Sequence, residues 1–263
     1  MTSATPSRTL VALVTGASRG IGSVIASQLA ARGVRIALHY RDRRSEAHEV
    51  LAKLVGSGHA AFAADLSRSE AVSALWRDVT AKMGSVDILI NNAGLFVDHP
   101  PLSTSLEAWR SAWALTLGAN LMGPADLCLL AAQSMNEREP ASTAFGRGRI
   151  VNISSRGAFR GEPDSPAYGA SKAGLNSLSQ SLAKALAPRS IYVYCLAPGW
   201  VETDMARGHL SGAGGADILA QHPLGRVSQP EEIANAATYC ALDAPAAMTG
   251  GVIDVNGASY LRT

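Results

Sequence analysis

The chain is short of several things that would each announce a function. Of its 263 residues only three are cysteines, Cys128, Cys195 and Cys240, odd in number and widely spaced. Such usage excludes a disulfide scaffold and offers no metal-binding or redox spacing, so buried, reduced thiols are expected. An excess of charge of one sign is lacking too: 23 Lys and Arg against 21 Asp and Glu leave a net +2. That balance argues against nucleic acid or an anionic membrane surface as a partner. No apolar run approaches the ~20 residues that a membrane-spanning helix needs. The opening MTSATPSRTL has no apolar stretch of the signal-peptide kind. Together these absences lead to the expectation of a cytoplasmic chain with no membrane attachment. Linkers, repeats and shifts of composition are missing as well, so one domain over residues 1–263 is expected, its core at 9–258 behind a frayed leader at 1–8.

What the chain does have is alternation. Residues 9–15 are an almost continuous apolar run ending in a glycine-rich turn, as a strand buried on both faces would read. An amphipathic helix follows, with Ile21, Ile25 and Leu29 on one face and Gly33 as its stop. Further strands are expected at 35–40, 59–63, 86–90, 149–153, 191–196 and 251–255. Between them helices are expected at 45–55, 69–83, 105–119, 120–136 and 165–187, with a last one from 230. Residues 137–148 read as a loop. Residues 204–224, rich in Gly, Ala and His with weak periodicity, read as a mobile flap. The alternation predicts an α/β fold, a Rossmann-type doubly wound parallel sheet with helices on both faces.

In such a sheet ligands bind outside the carboxyl ends of the strands, and every notable motif falls there. The turn TGASRGIG holds Gly16, Ser18, Arg19, Gly20, Ile21 and Gly22. A glycine turn between strand and helix lets the backbone approach a pyrophosphate and offers it the helix N-terminus. Asp65, Asn91-Asn92-Ala93-Gly94, Ser154-Ser155 and PGWVET close later strands. Ser165-Pro166 reads as an N-cap followed by proline at the first helical position. That places Tyr168 in the first turn and Lys172 one turn on, on the same face. A phenol ordinarily titrates near ~10. A neighbouring ammonium lowers that value by about 1–3 units, and the helix N-terminus acts in the same direction. A tyrosine so tuned is a usable general acid or base.

The GxxxGxG spacing, with NNAG, Ser155, Tyr168-x-x-x-Lys172 and PGWVETD in that order, resembles the short-chain dehydrogenase/reductase family. The resemblance covers residues 9–258 and extends to its 3-oxoacyl-acyl-carrier-protein reductase-like members. It implies an NAD(P)-dependent oxidoreductase acting on a small carbonyl or alcohol, without a metal. Tyr168 would donate the proton, or act as base in the oxidative direction. Lys172 would hold the nicotinamide ribose and lower the Tyr168 pKa. Ser155, thirteen positions before Tyr168, would bond the substrate oxygen, with Ser154 pointing the other way. Asn120 resembles the asparagine whose backbone holds a relay water, and Thr116 is a competing alignment. Asp65 and Leu66 would sit at the adenine ring, and Asn92, Ala93 and Gly94 beside its ribose. Val201 and Thr203, after the Pro198-Gly199 turn, would meet the carboxamide, while Asn91 ties adjacent strands. A homotetramer or homodimer is implied, using the helix of Tyr168 and its stripe of Leu175, Leu178, Leu182 and Ala183.

The choice of dinucleotide can be argued from charge. A carboxylate ending the second strand would bond the adenosine ribose and repel a 2′-phosphate. Tyr40 stands at that position, Arg41 follows it, and Arg19 lies in the glycine turn. Two guanidiniums suit a phosphate dianion, although Asp42 opposes them. NADP(H) is favoured and NAD(H) stays open. The substrate is less determined. Arg156 and Arg160 either attract an acidic substrate or are solvated loop arginines, and Trp200 and Met205 suggest an apolar wall. Two alternatives stand beside NADPH-dependent carbonyl reduction. One is an NAD-dependent secondary alcohol dehydrogenase; the other is a non-catalytic dinucleotide-binding regulator, which could dispense with Ser155, Tyr168 and Lys172.

Overall fold

A computed structural model describes residues 8–212 and 214–262. Seven strands form one sheet: β1 (Val11–Val14), β2 (Arg35–Tyr40), β3 (Ala60–Ala63), β4 (Ile88–Asn91), β5 (Gly148–Ile153), β6 (Ile191–Pro198) and β7 (Val252–Val255). Their order is β3-β2-β1-β4-β5-β6-β7, and every neighbouring pair is parallel. The side chains of the first strand divide between two cores: Ala12 and Val14 enter one, Val11 and Leu13 the other. Burial on both faces is why its sequence reads as a continuous apolar run and not as an alternation. The strand order reverses between β1 and β4, which opens the crevice where a ligand would be expected.

On one face pack α1 (Gly20–Ala31), α2 (Arg44–Lys53) and α10 (Pro230–Leu242). On the other lie α3 (Ser69–Met83), α5 (Gly123–Asn136) and α7 (Pro166–Leu186). The first helix ends as its glycine predicts. Gly33 takes φ +80°, its N–H donates to Ala30 O at 2.9 Å, and Val34 N–H donates to Leu29 O at 3.1 Å, the paired bonds of a Schellman stop. At the amino end of the sheet the buried carboxylate of Asp87 accepts from Arg8, Arg138 and Val11 N–H. Of the expected leader, residues 1–7 lie outside the described residues, and Arg8 is tied to Asp87 at 2.7 Å.

Four expectations are corrected. The helices predicted at 105–119 and 120–136 join into one run, α4 (Leu106–Leu117), a π turn (Gly118–Met122) and α5. By length and composition alone this run could cross a bilayer; scattered polar residues hid that from the sequence, and in the fold it packs along α3 and α7. The weakly periodic 204–224 flap contains two helices, α8 (Asp204–Ser211) and α9 (Gly215–Ala220), too short for a period to show. A four-residue helix, α6 (Gly157–Arg160), went unforeseen. Leu175 and Ala183 are spent inside the chain's own core, with Leu178 and Leu182 partly buried, so the stripe is not an outer face. The exposed side of α7 carries small and polar residues such as Ser177, Gln180 and Lys184. Exposed apolar side chains lie instead along the composite helix, at Leu106, Leu115, Met122 and Leu129.

Candidate active site

At the carboxyl end of β1 the backbone turns sharply, and glycine is required at its start. Gly16 holds φ +62°, and a Cβ there would come within 2.8 Å of Ala93 Cα. A Cβ on Gly22 would collide with Gly16 O and Asn92 Nδ2, so this glycine lets α1 close onto the strand ends. The turn is tied from below. Thr15 Oγ1 accepts from the N–H groups of Asn92 and Ala93 at 2.9 and 3.0 Å. Asn92 Nδ2 donates to Thr15 O at 2.9 Å. His39, buried at the end of β2, accepts from Gly16 N–H through Nδ1 at 3.1 Å and faces Ala64 O with Nε2. The first bond fixes the proton on Nε2, and burial drives the imidazole pKa down to about 4.

Beyond the turn opens a cavity of about 760 Å³. Gly16, Ser18, Arg19, Gly20, Ile21, Arg41, Asp65 and Leu66 line it, with Asn92, Ala93 and Gly94. Ser155, Tyr168, Lys172, Pro198, Gly199, Val201 and Thr203 line the same cavity. Asp65 accepts from Ser67 N–H and Oγ at 3.0 and 2.7 Å, which holds its carboxyl below the usual range. Pro166 opens α7, and the Ser165 hydroxyl, expected to cap the helix, instead donates to Asp98 at 2.9 Å. One turn separates Tyr168 from Lys172, whose Nζ lies 5.8 Å from the phenol ring centroid. That ammonium donates to Ile153 O at 2.8 Å. Ser155 Oγ accepts from Gly157 N–H at 3.0 Å, while Ser154 Oγ turns to Lys172 O.

Electrostatics depart from the expected tuning. Burial pushes the Tyr168 phenol up to about 12, Glu162 pushes the same way, and only the Ser155 hydroxyl opposes. Burial also lowers Lys172 to about 8. Desolvation therefore outweighs any pull of the ammonium on the phenol, and Tyr168 is a protonated acid across the neutral range.

Known proteins resemble this chain over nearly its whole length. A family model described as enoyl-(acyl carrier protein) reductase matches residues 16–258. The chain is 35% identical over 250 residues to a 3-oxoacyl-[acyl-carrier-protein] reductase of Synechocystis sp., covering 94% of this chain and 95% of that one. It is equally identical over 251 residues to the FabG protein of Escherichia coli, covering 95% and 97%. The chain belongs to the short-chain dehydrogenase/reductase family. As a member it is an NAD(P)-dependent oxidoreductase. A short-chain dehydrogenase/reductase structure from Brucella melitensis superposes with TM-score 0.84 at 30% identity, covering 96% of this chain and 97% of that one. Another, described as an NAD(P)-dependent gluconate 5-dehydrogenase from Beutenbergia cavernae with bound NADP, gives TM-score 0.83 at 32% identity, covering 95% and 96%.

For this short-chain dehydrogenase/reductase, three predicted residues do not reach the cavity wall. Tyr40 turns into the core beneath β2, because the last residue of a central strand is packed on both sides. Gly22 serves close packing. Asn120 is fully buried in the π turn, and its carboxamide is spent on Leu95 N–H, Leu95 O and Ser171 Oγ, which leaves its backbone, the part expected to hold a relay water, uncommitted by these bonds; its neighbour Ala119 lines the cavity. Π turns recur where a helix must re-aim its backbone at a site. Thr116, its competitor, is buried with no partner for its hydroxyl. Asn91 ties strands as expected, donating to Asn152 at 2.8 Å. Sequence reasoning missed His39, Phe96, Glu162 and His209, all on the cavity wall. The Phe96 ring packs 4.7 Å from Tyr168 and 5.4 Å from His209, and only the fold brings these segments together.

Proposed function

We propose that this chain reduces a ketone to a secondary alcohol with NADPH, Tyr168 giving the proton. The carrying observation is that Ser155, Tyr168 and Lys172 share one cavity with the glycine turn. The residues present fit a dinucleotide: Gly16 opens a backbone cradle that a Cβ would fill, and the first turn of α1 offers its N–H groups there. When bound, the nicotinamide supplies the hydride. Ser155 already accepts from Gly157 N–H, so its own proton is directed at the substrate oxygen. Tyr168, held protonated, then delivers its proton to the developing alkoxide. Lys172 commits one of its three donors to Ile153 O and keeps two for ribose hydroxyls. A protonated phenol is the form that can donate to the developing alkoxide near neutral pH.

NADPH is preferred over NADH in this reading because no carboxylate ends β2, while Arg19 and Arg41 line the adenosine end. Both are balanced by carboxylates, Arg19 by Asp204 at 2.8 Å and Arg41 by Asp42 at 3.0 Å, so a 2′-phosphate would compete for them. The reading includes a single domain and a cytoplasmic homotetramer or homodimer, for which the exposed leucines of the composite helix offer a face. A ketone panel followed at the nicotinamide absorbance tests the reaction, with NADPH expected to exceed NADH by about 10-fold in kcat/KM. Preference for NADH would overturn the cofactor choice, and no turnover with either would overturn the reductase.

A further inference from the structure

Beside Ser155 lies a buried charge whose partners are neutral. Arg156 lines the cavity and is 2% exposed, not a solvated loop arginine. Its Nη1 donates to the Ser259 carbonyl at 3.2 Å and its Nη2 to Gln221 Oε1 at 3.0 Å. Arg160, one turn on and closer to the surface, donates to the same Gln221 oxygen at 2.8 Å. Two guanidiniums thus converge on one uncharged carboxamide. A guanidinium taken out of water is ordinarily matched by a carboxylate, yet among the described residues none lies within ion-pair distance of Arg156. Glu162 comes within ion-pair distance only of Arg160, at 3.9 Å, and burial raises its pKa against the pull of both arginines. The surroundings are also unfinished: Ser259 Oγ and the neighbour of Gln221, His222 Nε2, are buried polar atoms without partners.

A carboxamide has the planar shape of a carboxylate. Where Gln221 places its oxygen, a carboxylate oxygen would meet both guanidinium forks with charge added. Resting on the carbonyl-reductase reading above, we propose that the substrate is a keto acid whose free carboxylate displaces the Gln221 side chain and is bound by Arg156 with Arg160 behind it. The same site would hold the hydroxy acid in the reverse direction.

The test compares 2-, 3- and 4-oxo acids with their neutral primary amides, each with NADPH. For the best-fitting chain length, kcat/KM for the acid is expected to exceed that for the amide by about 10- to 100-fold, the range of charged hydrogen bonds. Arg156→Gln collapses that ratio towards unity, and Arg156→Lys restores part of it. A merely structural Arg156 would lower both members of each pair in parallel and leave the ratio intact, which overturns the proposal. Should Arg156→Gln fail to fold, Gln221→Glu answers the question from the surface. An internal carboxylate on the two arginines must erode the acid preference, and an undiminished preference overturns the site. Turnover of acid and amide at equal rates in the unmodified enzyme removes the keto acid while leaving the reductase. No turnover of any pair overturns the keto acid, and the ketone panel then decides whether the reductase falls with it.

Discussion

Two arginines near the two ends of β5 are equally hidden and differ in everything else. Arg149 and Arg156 are each 2% exposed. Arg149 donates to the carbonyls of Phe145, Cys240 and Ala144, and its guanidinium lies 5.1–6.0 Å from the ring centroids of Phe145, Tyr192 and Tyr194. Backbone oxygens and aromatic faces satisfy it entirely from within, joining the 137–148 loop to α10. Arg156 faces a cavity, has two neutral acceptors, and shares one of them with a second cation. A buried charge with its needs met is structure; one whose acceptors are neutral and shared is poised for an anionic ligand. The same distinction separates Asp87, whose buried carboxylate is matched by Arg8, Arg138 and Val11 N–H, from Tyr168 and Ser155.

The sharpest test of the open side is Tyr168→Phe. It removes one hydroxyl, and turnover is expected to fall about 10²- to 10⁴-fold while cofactor affinity stays close to normal. Near-normal turnover would take Tyr168 out of the chemistry. On the satisfied side, Arg149→Met orphans two buried carbonyls, of Phe145 and Cys240, and the part-buried one of Ala144. Chemical unfolding should show a loss of about 3–5 kcal/mol, with the acid-to-amide ratio of the remaining folded enzyme unmoved. A changed ratio would mean the two arginines are not separable.

His39 tests the comparison by pH. Its folded pKa, about 4, lies below the ordinary 6.5, so the unfolded chain binds the extra proton between those values. Stability is therefore complete above pH 6.5 and lost as pH falls towards 4, on the order of 3 kcal/mol at most. His39→Gln should flatten that stretch of the denaturant-midpoint profile, and an unchanged slope would assign the loss elsewhere. The smallest effect is expected at the exposed Arg19–Asp204 pair. Asp204→Asn should cost under about 1 kcal/mol of stability. It should also lower KM for NADPH about 2- to 3-fold by freeing Arg19, and a rise in KM would count against Arg19 as a phosphate ligand.

Much of this molecule could be read along the chain. Apolar runs alternating with 3.6-period stretches specify strands and helices, and glycine or proline marks where they stop, so α3 spans 69–83 as read and β2 spans 35–40. Motifs whose chemistry depends on local spacing were equally legible: the glycine turn and the single helical turn between Tyr168 and Lys172. Side-chain direction was not. Tyr40 ends its strand inside the core, and Leu175 serves the chain's own interior. Such outcomes depend on which layer covers a residue, and a one-dimensional pattern records only that it is apolar.

Local periodicity and turn chemistry are short-range properties, so the sequence alone determined a parallel α/β sheet and the row of motifs along its carboxyl edge. Tertiary structure decided the titration of the site, because desolvation depends on what packs around a group and here overrides the neighbouring charge on Tyr168. It also decided the meaning of Arg156, since only folding brings Gln221 and Ser259 from distant points in the chain onto one buried guanidinium and leaves no carboxylate within ion-pair distance of it.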